Sequence, residues 1–83
     1  MAYQTVTINV EELYVGLAKL DQLEEYTQRV LNQAGEGNEV IMTGKGPIWL
    51  YLKLAHALHG KALRLIYRAP NAEHVLIFDH DPY

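Results

Sequence analysis

The sequence predicts one small α/β domain over residues 1–83: a mixed sheet with an N-terminal hairpin, two main helices and a C-terminal hairpin. Three observations carry this. Gln4–Val10 alternates Val6, Ile8 and Val10 with Thr5, Thr7 and Asn9, the period of a half-buried strand. Val40-Ile41-Met42 and Val75–Phe78 are short apolar runs of the kind found in strands covered on both faces. Two stretches of helical periodicity, one opening at Asp21 and one over Pro47–His59, are interleaved with the strands.

After the first strand, Glu11-Glu12 breaks the alternation. Leu13, Val15 and Leu17 then alternate as a returning strand would, while Leu13, Leu17 and Leu20 also fit the start of a helix. Val15 and Gly16 favour the strand, hence the N-terminal hairpin. Asp21 stands where an N-cap would, and Glu24 three residues on completes a capping box. Leu23, Tyr26, Val30 and Leu31 form the apolar stripe of the helix that follows, Glu24, Glu25, Gln28 and Arg29 its wet face, and Gly35 its stop. It is a packing element with no catalytic chemistry.

The stretch from Thr43 to Gly60 carries the most signal. Gly44 and Gly46 flank Lys45, so the backbone there can take positive φ and lie close to a ligand. Pro47 suits the first helical position, where its missing N–H costs nothing, and Gly60 lies just past the helix end. The free N–H groups of the first turn, the helix dipole and Lys45 together make a small anion site. The competing reading is a glycine turn shaped only for close helix–strand packing. Neither GxxxxGK[ST] nor GxGxxG is present.

The helix itself is apolar nearly all round. Ile48, Tyr51, Leu52, Ala55 and Leu58 form one stripe, and Trp49, Leu50, Leu54 and Ala57 fill much of the rest. Such a helix is buried on more than one side, and in so short a chain the second cover is expected to be another subunit, an obligate dimer. Trp49 reads as core or interface ahead of a base-stacking platform, and Lys53 as a solvated side chain. Beyond it, Ala62–Tyr67 reads as a strand, Ala69–Ala72 as a turn, and Val75–Phe78 as a strand ending in Asp79-His80-Asp81. Period-two geometry sets His80 with Phe78 and Leu76, and Asp79 with Ile77 and Val75.

Composition narrows the classes. The absence of cysteine excludes a disulfide framework, a zinc ribbon or a thiol nucleophile, and the absence of serine excludes Ser/His/Asp catalysis. No run is long and apolar enough for a membrane span, and the N-terminus lacks a signal-peptide layout, so a cytoplasmic protein is expected. Residues 1–43 hold seven acidic against two basic side chains; residues 44–83 hold five basic against three acidic, and all four histidines. With a net charge of −3, duplex DNA is a poor partner, whereas a compact anion held by the C-terminal half is reasonable. The constellation with catalytic potential is His56, His59, His80 and Asp79, near Lys45 and Arg68. Three imidazoles and a carboxylate suit a divalent metal, with His56, His80 and Asp79 as ligands, or a base and acid for phosphodiester cleavage. In the bland alternative the helix-end histidines only complement the dipole and His80 only ends a strand.

These residues together resemble a known family. TGKGPIWLYLKLAHALH, then an IY strand, a turn and a strand ending in histidine, is similar to the third family of small CRISPR-associated ring nucleases of type III systems, over about Met42–His80. The family signature is a GxGPIWL start, an LAHxxH helix end and a YDPRLG turn. Gly44, Gly46, Pro47, Ile48, Trp49, His56, His59 and Tyr67 fall on family positions, as does His80 with one extra residue in the turn. The resemblance implies small α/β dimers, Rossmann-like in part, that bind cyclic tetra-adenylate, an RNA ring, sandwich it between dimers, and cut it in a manganese-dependent reaction that switches off the signal for effector nucleases. With the residue reading above, ligand binding is expected at Gly44, Lys45, Gly46, Pro47 and Trp49, and catalysis at His59, His80 and Arg68, in a homodimer, a tetramer or stacked dimers. The chain departs from the family at the turn, where Arg68 replaces the aspartate. A cation there repels a metal and attracts a phosphate. Cleavage then either takes its carboxylate from Asp79 or Asp81, or proceeds without manganese. Otherwise the chain is a non-catalytic binder that buffers the signal, or a structural or regulatory subunit that keeps only the fold.

Overall fold

The strands and helices alternate along the chain, so the sheet is built mainly from parallel neighbours. A computed structural model describes residues 3–69 and 73–80. Within them lie β1 (Thr5–Asn9), α1 (Leu23–Ala34), β2 (Glu39–Thr43), α2 (Ile48–Leu58), β3 (Arg64–Arg68) and β4 (His74–Asp79), with short 3-10 turns at Val10–Leu13 and Leu20–Gln22. The sheet order is β1-β2-β3-β4. β1, β2 and β3 run parallel, and β4 returns antiparallel to β3. Parallel neighbours require a crossover, and α1 and α2 supply the two. The mixed sheet, the two helices and the C-terminal hairpin are as the sequence predicts. Among the described residues, no helix is long and apolar enough to cross a membrane.

One core holds the fold. Ile8, Val40, Met42 and Leu65 of the sheet pack with Tyr26, Val30 and Ala34 of α1 and Leu50, Leu54 and Leu58 of α2. Both helices therefore cover the same sheet face. By strand alternation the other face carries Glu39, Ile41, Arg64 and Ile66, and among the described residues no helix lies over it. There Arg64 lies 3.0 Å from Glu39 and 3.5 Å from Asp79, and donates to the Tyr3 hydroxyl at 2.8 Å.

The N-terminal hairpin does not form. The Asn9 side chain accepts the Glu11 N–H at 3.0 Å and turns the chain into a 3-10 helix directly after β1. Leu13 is buried, but Val15 and Leu17 are 98% and 81% exposed, so their alternation reports no sheet. Arg29 of α1 holds the segment by donating to the carbonyls of Leu13 and Glu12, at 2.9 and 3.3 Å. β1 pairs with β2 on one side, and its other edge has no strand beside it among the described residues.

Four smaller expectations also shift. Asp21 is not the cap of α1: it lies in the 3-10 turn before it, and Gln22 takes the N-cap position without a side-chain bond. Pro47 is the N-cap rather than the first helical residue, extended at ψ 148°, and its carbonyl accepts from Leu50 and Tyr51. The core face of α2 is Leu50, Leu54 and Leu58, whereas Ile48 and Leu52 of the expected stripe are 77% and 66% exposed. The third strand runs Arg64–Arg68 rather than Ala62–Tyr67.

The last strand is interrupted as well. A bulge opposite Leu65/Ile66 pairs Leu76 with Ile66 but Phe78 with Leu65, leaving Ile77 as the extra residue. Leu76 thereby joins Asp79 on the open face, and Ile77 turns toward Met42, Tyr51 and Tyr67 on the helix side. The expected grouping of Asp79 with Ile77 and Val75 fails for that reason. The Ala69–Ala72 turn and Asp81 lie partly or wholly outside the described residues.

Candidate functional site

The predicted site residues fall at two ends of α2. At its N-terminus, β2 stops at Thr43 and the chain turns through Gly44, whose φ is +102°. A Cβ on Gly44 would overlap Asn9 Oδ1, so glycine is required both for conformation and for space. Gly46 has no unusual φ; a Cβ there would meet Val10 Cγ2 at 3.0 Å, so it serves close packing. The turn is fastened from below. Tyr51 donates its hydroxyl to the Gly44 carbonyl, Tyr14 donates to the Lys45 carbonyl at 2.9 Å, and the Lys45 N–H donates to Glu11 Oε1 at 3.0 Å. Burial, then the neighbouring Tyr67, Tyr14 and Glu11, push the Tyr51 phenol up to about 12. Burial, then Glu11, raise Tyr14 too. Both stay protonated, and so stay donors, through the neutral range.

This arrangement modifies the anion site read from the sequence. The Lys45 N–H is already bound by a carboxylate, leaving its ammonium and the N–H groups of Ile48 and Trp49, which have no intrahelical acceptor. Trp49 is half-buried: it packs on the core and also lines the cleft beside the turn, with Glu11, Tyr14, Leu17 and Lys45. The core reading of Trp49 holds in part. Arg68 ends β3 at this same end of the sheet, its carbonyl accepting the Thr43 hydroxyl at 2.9 Å.

At the other end of α2, His59 caps the helix and meets the close of β4. The rings of His59 and His80 lie 4.6 Å apart between centroids, and Phe78 packs edge-on to His59 at 5.1 Å. The His80 N–H donates to the Leu63 carbonyl at 2.8 Å, which anchors the backbone beside the helix end. His56 sits exposed in the last turn of α2. The structure thus brings His59 and His80 together and parts them from Lys45 and Arg68. An eleven-residue helix spans roughly 16 Å at about 1.5 Å per residue.

A sequence profile of the CRISPR-associated protein family Cas_csx3 matches residues 10–83. The chain belongs to that family. No curated protein and no solved structure matches it. The Cas_csx3 match takes in the glycine turn, all of α2 and the histidine pair, and it extends the region of resemblance back to the segment just after β1.

In this Cas_csx3 chain, the trio His56, His80 and Asp79 does not assemble as a metal centre. Asp79 turns to Arg64 on the open sheet face, while His80 stacks with Phe78 and His59. Among the described residues, no three histidine, aspartate or glutamate side chains come together to hold an ion. Glu11 and Tyr14 are the site residues that sequence reasoning missed. Their signal was present: an acidic pair directly after a strand lies at the carboxyl end of a parallel sheet, where open α/β folds bind ligands.

Proposed function

We propose that this chain binds a cyclic oligoadenylate, cyclic tetra-adenylate foremost, and opens it by transesterification, removing the signal for CRISPR effector nucleases. The observation that carries the reading is the imidazole pair, His59 and His80 at 4.6 Å, in a Cas_csx3 family chain. Two imidazoles divide the proton work. One, neutral, accepts the proton of a ribose 2′-OH as that oxygen attacks the adjacent phosphorus. The other, protonated, donates to the departing 5′-oxygen. The P–O5′ bond breaks, and the product is linear, with a 2′,3′-cyclic phosphate at one end and a 5′-hydroxyl at the other. Lys45, Arg68 and the first-turn N–H groups of α2 stabilise charge on the phosphates.

Since the turn and the histidines lie at opposite ends of α2, one subunit cannot present both to a single phosphate. The reading therefore places the ring between copies: the turn end of one homodimer against the histidine end of the next, as a tetramer or a longer stack. A symmetric ring suits a site built on a two-fold axis.

The test incubates the protein with cyclic tetra-adenylate, once with EDTA and once with manganese, and separates the products by chromatography. The expected result is linear product with cyclic-phosphate ends in both. Acid–base participation is worth roughly a hundred- to ten-thousand-fold, so His59→Ala should cut turnover at least tens-fold while ring binding persists. Cleavage with manganese alone would overturn the metal-free route. Arg68 in place of the family aspartate favours a second reading, a binder that buffers the signal; intact ring recovered from a tight complex would establish it and remove the enzyme.

A further inference from the structure

We propose that the cleft beside the glycine turn is a base-recognition pocket in which the Glu11 carboxylate accepts a hydrogen bond from the exocyclic amino group of an adenine. The inference rests on the cyclic-oligoadenylate reading above and extends it to the residues that choose the base. The cleft encloses about 520 Å³ between the bent segment 14–18 and the start of α2, and its lining includes Glu11, Tyr14, Leu17, Lys45, Pro47 and Trp49. That volume lies within the roughly 300–1,000 Å³ usual for small-molecule sites.

Three chemistries meet there. The Lys45 ammonium and the open N–H groups of α2 attract a phosphate. Trp49, Tyr14 and Leu17 offer ring and methyl surface to a flat base; Leu17 is 81% exposed, an apolar side chain with nothing yet lying on it. Glu11 adds an anionic acceptor. A carboxylate next to a phosphate site is unfavourable on charge alone. It fits a ligand that joins an anionic group to a hydrogen-bond donor, and a nucleotide with an amino-bearing base is such a ligand. Its position is also set: Oε1 is held by the Lys45 N–H at 3.0 Å, and no other hydrogen bond to the carboxylate is present among the described residues. Its remaining lone pairs are left for the cleft.

The informative variant is Glu11→Gln. The Lys45 N–H obliges the amide oxygen to replace Oε1, so the amide NH₂ faces the cleft, a donor where an acceptor stood. Affinities are measured for two rings, cyclic tetra-adenylate and its analogue built from purine riboside, which lacks the 6-amino group. Both are titrated into His59→Ala protein, so that the rings stay intact, with and without Glu11→Gln. Comparing the ratio of affinities cancels any general relief of charge repulsion. The His59→Ala protein should prefer the amino ring by roughly tenfold or more, the scale of one hydrogen bond to a charged group. Glu11→Gln should abolish that preference. Leu17→Ser, at an exposed position that leaves the core untouched, should weaken both rings alike by several-fold. A preference unchanged by Glu11→Gln overturns the pocket and leaves the cyclic-oligoadenylate reading standing. Failure of either ring to bind any of the proteins overturns both.

Discussion

Tyr51 illustrates how a single side chain links core, turn and site. Its ring packs edge-on to Tyr67 at 5.3 Å, and its hydroxyl donates to the Gly44 carbonyl. Because burial raises its folded-state pKa to about 12 from 10.0, its contribution is fully present below pH 10 and is lost as pH rises through about 12. Urea melts between pH 9 and 12 should therefore show a loss of stability in the wild type that Tyr51→Phe lacks. At neutral pH that variant should be less stable by about 1 kcal/mol, one net hydrogen bond. A parallel decline in both proteins would detach the titration from Tyr51. Several single residues were legible in the sequence. Gly44 was, because a left-handed turn beside a lysine has few substitutes. Gly46 was legible through the competing reading, close packing, though not its neighbour, Val10 in the 3-10 turn after β1. Asp79 misled, because nothing local announces that a bulge will turn it to Arg64.

At the level of elements, period and composition foretold what packing could enforce. Alternation over Thr5–Asn9 and the apolar stripe of α1 became a strand and a helix because each buries one face. The same alternation over Leu13–Leu17 formed no strand, since the Asn9 side chain turns the chain away directly after β1, and β1 pairs instead with β2 through a long-range register that no short window contains. Of the two apolar sides read for α2, the core covers one, and the other is exposed at Ile48 and Leu52. Ile48, Leu52 and Ala55 of α2, with Ile77 delivered by the bulge, line an apolar groove of about 280 Å³. Under the proposed homodimer, a second copy covers this groove. Burying one leucine is worth about 1.5–3 kcal/mol, and a charge in its place costs more. Leu52→Glu, at a site 66% exposed in the subunit, should leave the fold intact and shift sedimentation from dimer to monomer. A variant that sediments as the wild type would assign the interface elsewhere.

For the molecule as a whole, the consequence of the topology is polarity. The three parallel strands and α2 carry the groups proposed to bind phosphate to one pole, and the return of β4 carries His80 to the other, against His59. A sequence shows which residues are chemically able but not that a helix will hold them apart, so the constellation was legible as a set and not as an arrangement. If the proposed ring cleavage uses both poles, each site must draw them from different copies. The most direct measurement mixes two variants, His59→Ala and Lys45→Glu, and follows cleavage of cyclic tetra-adenylate by the mixture and by each alone. Each variant alone should be strongly impaired. Mixed stacks regain sites that pair an intact turn with an intact histidine pair, so the mixture should clearly exceed the mean of its components. Activity no greater than that mean would contradict a site shared between copies.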